Sequence, residues 1–374
     1  MAATGNADGK IRYAVISGGW FSQAAVLPAF ANATKNSELV AILSSDPVKR
    51  QELSRTYGVQ AYRYEEYDQL LSSGSVDAVY IVSPNTEHHD YTVTAARHGV
   101  HVLCEKPLAA TSDEARSMIQ ECETAGVKFM TAYRLHFEEA NLTAIDVIHK
   151  QGLIGEPRVF SSVFTQQIEE GNTRLNADLG GSPLFDIGIY CINASRYLFQ
   201  DDPIEVMAML GSNGETRFSE VPEHYSVSMR FPKERLATFV CSFGGSNVSE
   251  YRVVGTNGDL RLEPAFTFQN PIVHFLTIDG KTTTTKFAHR DHVGAEIAYF
   301  SDCILKNQQP GPDGYEGLAD LVIIEAIEQS ARTGKSVLLD SFKAKKRPSL
   351  NQQISKPSIS TPELVNAAPP EGEA

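Results

Sequence analysis

The first 132 residues contain five short apolar runs, at 11–16, 39–43, 78–82, 100–104 and 128–132, separated by stretches of helical pattern. Strands that are apolar without alternation are buried on both faces, and parallel neighbours need a crossover helix between them. These runs therefore predict a parallel sheet covered on both sides by helices. After residue 155 the texture changes. A helical stretch at 183–199 precedes runs of alternating pattern at 225–231, 236–243 and 250–254, the pattern of an antiparallel sheet with one wet face. Asn257-Gly258 should join 251–254 to 260–262 as a tight hairpin. The expected fold class is α/β: residues 1–132 form a parallel-sheet domain, and residues 133–342 form an α/β domain with an open, mainly antiparallel sheet. A closing helix at about 315–334 is placed to pack back on the first domain. Two domains suit a chain of 374 residues. Residues 343–374 hold 5 of the 18 prolines and no aromatic residue, so a disordered tail is expected there.

Charge and cysteine usage narrow the partners. With 33 Lys and Arg against 46 Asp and Glu, the net charge of −13 repels phosphate backbones, and no nucleic-acid partner is expected. No run reaches the ~20 apolar residues that span a bilayer. The opening residues carry no apolar export segment or twin arginine, so no membrane association and a cytoplasmic location are expected. Cys104, Cys122, Cys191, Cys241 and Cys303 are odd in number and never form a C-x-x-C pair, which reads as reduced, mostly buried thiols. His88-His89 and His289-x-x-His292 lack a third ligand at sensible spacing, and no metal is expected. Thr333-Gly334-Lys335-Ser336 ends like a phosphate-binding loop, but Gln329 stands where the leading glycine belongs, so a helix C-cap is expected.

The chemistry begins at Ser17-Gly18-Gly19-Trp20-Phe21, after the first strand and at the opening of a helix. Backbone amides and a helix N-terminus can hold a pyrophosphate there. Against the fingerprint Gly-x-Gly-x-x-Gly/Ala, Ser17 replaces the first glycine and Ser22 the last, leaving Gly19 for close approach; a plain tight turn fits the same residues. After the second strand comes Ser44-Ser45-Asp46-Pro47-Val48-Lys49-Arg50. A carboxylate ending that strand would bind the ribose 2'-hydroxyl of NAD. Neutral hydroxyls followed by two cations suit the 2'-phosphate of NADP instead, with Asp46 before Pro47 serving as a helix N-cap. Lys49 and Arg50 also read as a solvated helix face.

Ser83-Pro84-Asn85-Thr86-Glu87-His88 and Glu105-Lys106-Pro107 follow the third and fourth strands. Together with Gly180-Gly181-Ser182-Pro183-Leu184-Phe185-Asp186-Ile187-Gly188-Ile189-Tyr190, and with Gly317-Leu318-Ala319-Asp320 to Thr333-Gly334-Lys335, they resemble the glucose-fructose oxidoreductase, inositol dehydrogenase and rhizopine-catabolism (Gfo/Idh/MocA) family over about residues 12–339. Tyr190, where many members have His, and Tyr133-Arg134 resemble the glucose-fructose oxidoreductase branch and its aldose-oxidising relatives. The resemblance implies a Rossmann domain binding NADP, with NAD less favoured, through Ser17, Gly18, Gly19, Trp20, Phe21, Ser44, Ser45, Lys49, Ser83, Pro84, Asn85, His88, Glu105, Lys106 and Arg134. It places Lys106 beside the nicotinamide, before a cis proline bond, and a carbohydrate among Lys106, Tyr133, Asp186 and Tyr190.

Asp186 and Tyr190 are four apart on a helix that Ser182 can cap and Pro183 can begin, which puts both on one face. Lys106 and Tyr190 could then pass a hydroxyl proton while Asp186 fixes a neighbouring hydroxyl and hydride goes to the nicotinamide. Alternatively, Asp186 belongs to the cap and Tyr190 to the core. Oxidation or reduction at C1 of an aldose is the expected reaction. The alternatives are keto-sugar reduction, cyclitol or dihydrodiol oxidation within the family, and a non-catalytic dinucleotide sensor. A homodimer or homotetramer is expected through the uncovered face of the C-terminal sheet. With only residues 1–10 before the first strand, no arm encloses the cofactor, and free exchange is expected.

Overall fold

The computed structural model describes residues 5, 6, 8–340, 342 and 346–370. The chain forms two compact units. Unit 1 comprises residues 1–134, 291–318 and 354–369, and unit 2 residues 135–290, 319–353 and 370–374. The chain thus returns to unit 1 twice after first leaving it; the sequence reading placed a boundary near 132, a closing helix at about 315–334 packing back on the first domain, and a tail from 343.

Unit 1 contains six parallel strands, β1 (Ile11–Ile16), β2 (Ser37–Leu43), β3 (Gln60–Tyr62), β4 (Ala78–Ile81), β5 (His101–Glu105) and β6 (Phe129–Ala132). Their order is β3-β2-β1-β4-β5-β6, that of a dinucleotide-binding Rossmann sheet. Strands β1 and β4 are buried almost throughout, as the apolar runs require. The three residues of β3, at the sheet edge, are too few for a period to show. Local chemistry fixes the helix ends. Asp46 caps Pro47–Tyr57, Thr111 and Glu114 form a capping box on Ser112–Ala125, and Gly126 ends that helix at φ 69°. Helix His292–Leu305 returns to this sheet, where Ser301 Oγ lies 2.7 Å from both the Tyr13 hydroxyl and Ser37 Oγ. The first turn of helix Gly314–Thr333 follows against β6, with Thr131 Oγ1 donating to the Asp313 carbonyl at 3.0 Å.

Residues 354–369 lie along unit 1 without joining its sheet, contrary to the disorder expected from composition. Asn32 Nδ2 donates to the Pro357 carbonyl (2.8 Å), the Asp291 amide donates to the Lys356 carbonyl (3.3 Å), and Gln23 brackets Val365. The compositional argument counts apolar burial alone. Here polar side chains of unit 1 satisfy the backbone of an extended segment.

Unit 2 holds a nine-stranded sheet in the order β14-β13-β12-β11-β7-β10-β9-β8-β15. The strands are β7 (Pro157–Gln167), β8 (Glu205–Gly211), β9 (His224–Phe231), β10 (Arg235–Ser242), β11 (Gly244–Gly255), β12 (Gly258–Glu263), β13 (Val273–Ile278), β14 (Lys281–Lys286) and β15 (Val337–Leu338). Only the β7–β10 pair is parallel. The hairpin at Asn257-Gly258 forms as expected, pairing Tyr251 with Leu262. Strict alternation in β9 and β10 puts Phe231, Ala237 and Phe239 inside. Helix Ile189–Phe199 packs on β7. Its Arg196 is fully buried, with guanidinium nitrogens 2.6 Å from both Asp202 and Asp320. Asp320 of the Gly-Leu-Ala-Asp motif is therefore a structural counter-charge; losing it would strand a buried cation. All five cysteines are free and buried.

Candidate active site

Because all six strands of unit 1 are parallel, their C-terminal ends share one edge. The sheet order reverses between β1 and β4, opening a crevice there. Every cofactor residue expected from the sequence follows one of these ends: 17–21 after β1, 44–49 after β2, 83–88 after β4, Glu105 and Lys106 at the end of β5, and Arg134, with Tyr133, after β6.

The turn after β1 is tight and nearly bare. Ser17 has a φ of 109°, a conformation that favours glycine, and accounts for the glycine usual at that position. Its Oγ accepts the Gly19 amide (3.1 Å), and its carbonyl accepts Ser22 Oγ (2.7 Å). Gln23, 1% exposed, donates to the Gly18 carbonyl at 2.8 Å. A Cβ on Gly18 would stand 3.3 Å from Leu53 and 3.5 Å from the Lys49 stem, so this backbone offers an approach that a side chain would fill. At the end of β2, Asp46 caps its helix by accepting the Val48 and Lys49 amides, as expected. Arg50 differs from the expectation of a phosphate ligand or a solvated face: its Nη1 donates to the Ser44 and Ser45 carbonyls at 2.8 and 2.7 Å, bracing the loop. The residues present fit a pyrophosphate at 17–21 and a phosphorylated ribose at 44–49.

The ends of β4 and β5 are tied together. His88, 1% exposed, sets Nε2 2.9 Å from the Ser83 carbonyl and Nδ1 3.0 Å from the Pro107 carbonyl, just beyond Lys106. Burial pushes its pKa down to about 4, against the raising effect of the carbonyls. The Lys106–Pro107 bond is cis. Glu105 Oε2 accepts the Lys106 amide at 3.2 Å, and its Oε1 lies 2.8 Å from the Tyr80 hydroxyl. That hydroxyl also lies 3.1 Å from Glu296 Oε2. Tyr80 has one hydrogen, so both contacts hold as hydrogen bonds only when one carboxyl is protonated. Burial raises both carboxyls, Glu296 further than Glu105, because Glu105 opposes it with a like charge while Lys106 favours the Glu105 anion; Arg134 draws both toward the anion. The proton therefore belongs on Glu296, and Glu105 remains the anion beside Lys106.

In unit 2, Ser182 Oγ accepts the Leu184 amide (3.2 Å) as the expected cap, and a π-helical turn over Leu184–Gly188 leads into helix Ile189–Phe199. Asp186 does not serve the cap: its Oδ2 accepts Arg174 Nε at 2.6 Å. Arg174 lies in the short helical turn Thr173–Leu175 before this helix, where glycine at 181 leaves room for it: a Cβ on Gly181 would lie 2.3 Å from the Arg174 carbonyl oxygen. The Tyr190 ring packs between Phe164 and Phe266, with centroids 5.7 and 5.8 Å away, and is half-buried. Sequence reasoning missed Arg174, Tyr80, Glu296 and Gln23. Only Glu296 left a trace, as the single acid in the apolar stretch Val293–Phe300. Among the described residues no cluster of three His, Cys, Asp or Glu could hold a metal, and no helix is long and apolar enough to cross a membrane.

Residues 11–133 match the model of the oxidoreductase family with an NAD-binding Rossmann fold, and residues 143–261 match the GFO/IDH/MocA C-terminal domain. The chain belongs to the Gfo/Idh/MocA oxidoreductase family. It is a nicotinamide-dependent oxidoreductase, which sets aside the sensor alternative. Within the family it is 35% identical to a D-xylose 1-dehydrogenase [NADP(+)] of Haloarcula marismortui over 89% of this chain and 94% of that protein. It is 32% identical to D-xylose 1-dehydrogenase (NADP(+)) 2 of Haloferax volcanii over 81% of this chain and 92% of that one. Its fold superposes on the crystal structure of an aldose-aldose oxidoreductase from Caulobacter crescentus, complexed with glycerol. There the TM-score is 0.84 and the identity 34%, covering 88% of this chain and 100% of that one.

Proposed function

We propose that this enzyme is an NADP-dependent sugar oxidoreductase that transfers hydride between the cofactor and C1 of an aldose. The observation that carries the reading is the edge of the unit 1 sheet. It brings the bare turn at 17–21, the hydroxyl- and lysine-bearing end of β2, and Lys106 together in one unit. The relatives named above, which act on D-xylose with NADP or on aldoses, support the substrate class.

NADP, when bound, supplies the hydride acceptor. Lys106, steadied by the Glu105 anion and by the His88 tie behind Pro107, would in its neutral amine form take up the single proton of the C1 hydroxyl while the C1 hydride passes to bound NADP; Tyr190, in unit 2, is a second candidate for that proton transfer. Asp186 orients a neighbouring hydroxyl, and its fixed partner Arg174 holds that carboxylate in one rotamer.

The test is a panel of aldoses, ketoses and cyclitols assayed by nicotinamide absorbance with NADP and NAD. Turnover of an aldose with NADP, at least about tenfold preferred over NAD, is expected. Turnover confined to keto-sugars or cyclitols would reassign the substrate, and equal use of both cofactors would refute the reading of residues 44–49.

A further inference from the structure

The C-terminal segment of unit 1 ends on the residues that flank the dinucleotide turn. Val365 is clamped at both backbone groups by one buried side chain: its amide donates to Gln23 Oε1 at 2.8 Å, and its carbonyl accepts Gln23 Nε2 at 2.9 Å. That same Nε2 bonds the Gly18 carbonyl. The next residue, Asn366, takes a left-handed backbone (φ 46°) and donates from Nδ2 to Asp46 Oδ2 at 2.9 Å. Asp46 Oδ1 already accepts the Val48 and Lys49 amides. Both oxygens of the one carboxylate at the end of β2 are therefore engaged.

We propose that residues 354–366 are part of the dinucleotide site, bridging its first helix to the end of β2, and that Asn366 is a specificity-determining residue that withholds Asp46 from the cofactor. An accessible carboxylate at this strand end accepts ribose hydroxyls and repels a 2'-phosphate. Capped by Asn366 and by two backbone amides, Asp46 stays turned away from that position, and the ribose faces Ser44, Ser45 and Lys49. The extended segment, fixed at Lys356, Pro357, Val365 and Asn366, would then also hinder release of a nucleotide bound at residues 17–21 and 44–49. This inference rests on the reading of residues 17–21 and 44–49 as the NADP site.

The experiment uses the full-length protein, Asn366→Ala, Asn366→Asp, and a chain ending at Gln353. Affinities for NADPH and NADH are titrated by nucleotide fluorescence, and release rates are measured by stopped-flow chase. Asn366→Ala should lower the NADPH-over-NADH preference about fivefold to tenfold, the net worth of one solvent-exposed hydrogen bond, and Asn366→Asp should lower it further. The shortened chain should release NADPH at least about tenfold faster by the same arithmetic. Preference ratios within twofold of the full-length protein in both Asn366 variants overturn the proposal, and do so even where the shortened chain fails to fold. If the full-length protein binds neither nucleotide, the site reading itself falls, and the proposal with it. If it binds both and the variants change nothing, only the role of the segment falls.

Discussion

His88 offers a test whose sign, as well as its size, is set by the structure. Its ring is buried between the Ser83 and Pro107 carbonyls. A neutral imidazole donates to one of them and turns a lone pair toward the other, whereas an imidazolium could donate to both. Burial prevails and lowers the pKa from 6.5 to about 4. A base with a depressed folded-state pKa contributes stability that is present above the unfolded value and lost as pH falls through the folded one. Linkage gives a loss of about 2 kcal/mol between about pH 7.5 and about pH 5, rising to about 3 kcal/mol below pH 4. His88→Gln removes the titration but keeps one amide donor, at a roughly constant cost of about 1–3 kcal/mol for the carbonyl left unpaired. The chain has one tryptophan, Trp20, in the first turn of unit 1, so urea unfolding followed by its fluorescence reports on this unit. The stability advantage of the wild type over His88→Gln should shrink by about 2 kcal/mol from about pH 7.5 to about pH 5. An advantage that stays constant or widens toward acid would refute the neutral ring, and with it the dominance of burial over the two carbonyls.

Three further outcomes follow from the same geometry. Lys106→Ala should abolish turnover and Tyr190→Phe should lower kcat by ~10² to 10⁴-fold with NADP affinity nearly intact, while Asp186→Asn and Arg174→Met raise KM for the sugar; unchanged kcat in Tyr190→Phe across the pH range would make Tyr190 a packing residue. Glu296→Gln keeps a donor toward Tyr80 but cannot ionise. Because the Glu296 carboxyl is held well above 4.5, it stabilises most at low pH, and that stability drains away as pH rises. Thermal unfolding should therefore favour the variant increasingly from pH 6 to pH 9, and a variant equally destabilised at both values would contradict a protonated Glu296. The outer face of the unit 2 sheet exposes Met207 (52%), Met209 (69%), Leu236 (47%), Val240 (40%) and Val159 (42%), which is a large apolar patch for a lone protomer. Light scattering should give a dimer or tetramer that Leu236→Lys with Val240→Lys breaks apart, whereas a 41.0 kDa wild-type particle at micromolar concentration would refute pairing through this face.

Periodicity and short motifs carried the elements whose cause is local. The runs at 11–16 and 78–82 are strands because nothing but burial on both faces suits four consecutive apolar residues, and Asn257-Gly258 marks the turn that joins β11 to β12. Asp46 and Ser182 cap as their positions before Pro47 and Pro183 foretold. The three-residue β3 and the strands β13 and β14 were not legible, since pairing with a neighbour, rather than their own pattern, makes them strands. The site divides in the same way. Residues placed by a strand end were readable, because a parallel sheet puts all its C-termini on one edge. Partnerships across large separations were not: Tyr80 with Glu296, and Gln23 and Asp46 with residues 365 and 366, depend on where the folded chain returns. Hydrogen bonds and ion pairs of that kind leave no period, because a single polar side chain in the right place suffices. Composition marked residues 343–374 as unable to build a core; tertiary structure supplied the polar partners that hold residues 356, 357, 365 and 366 in place.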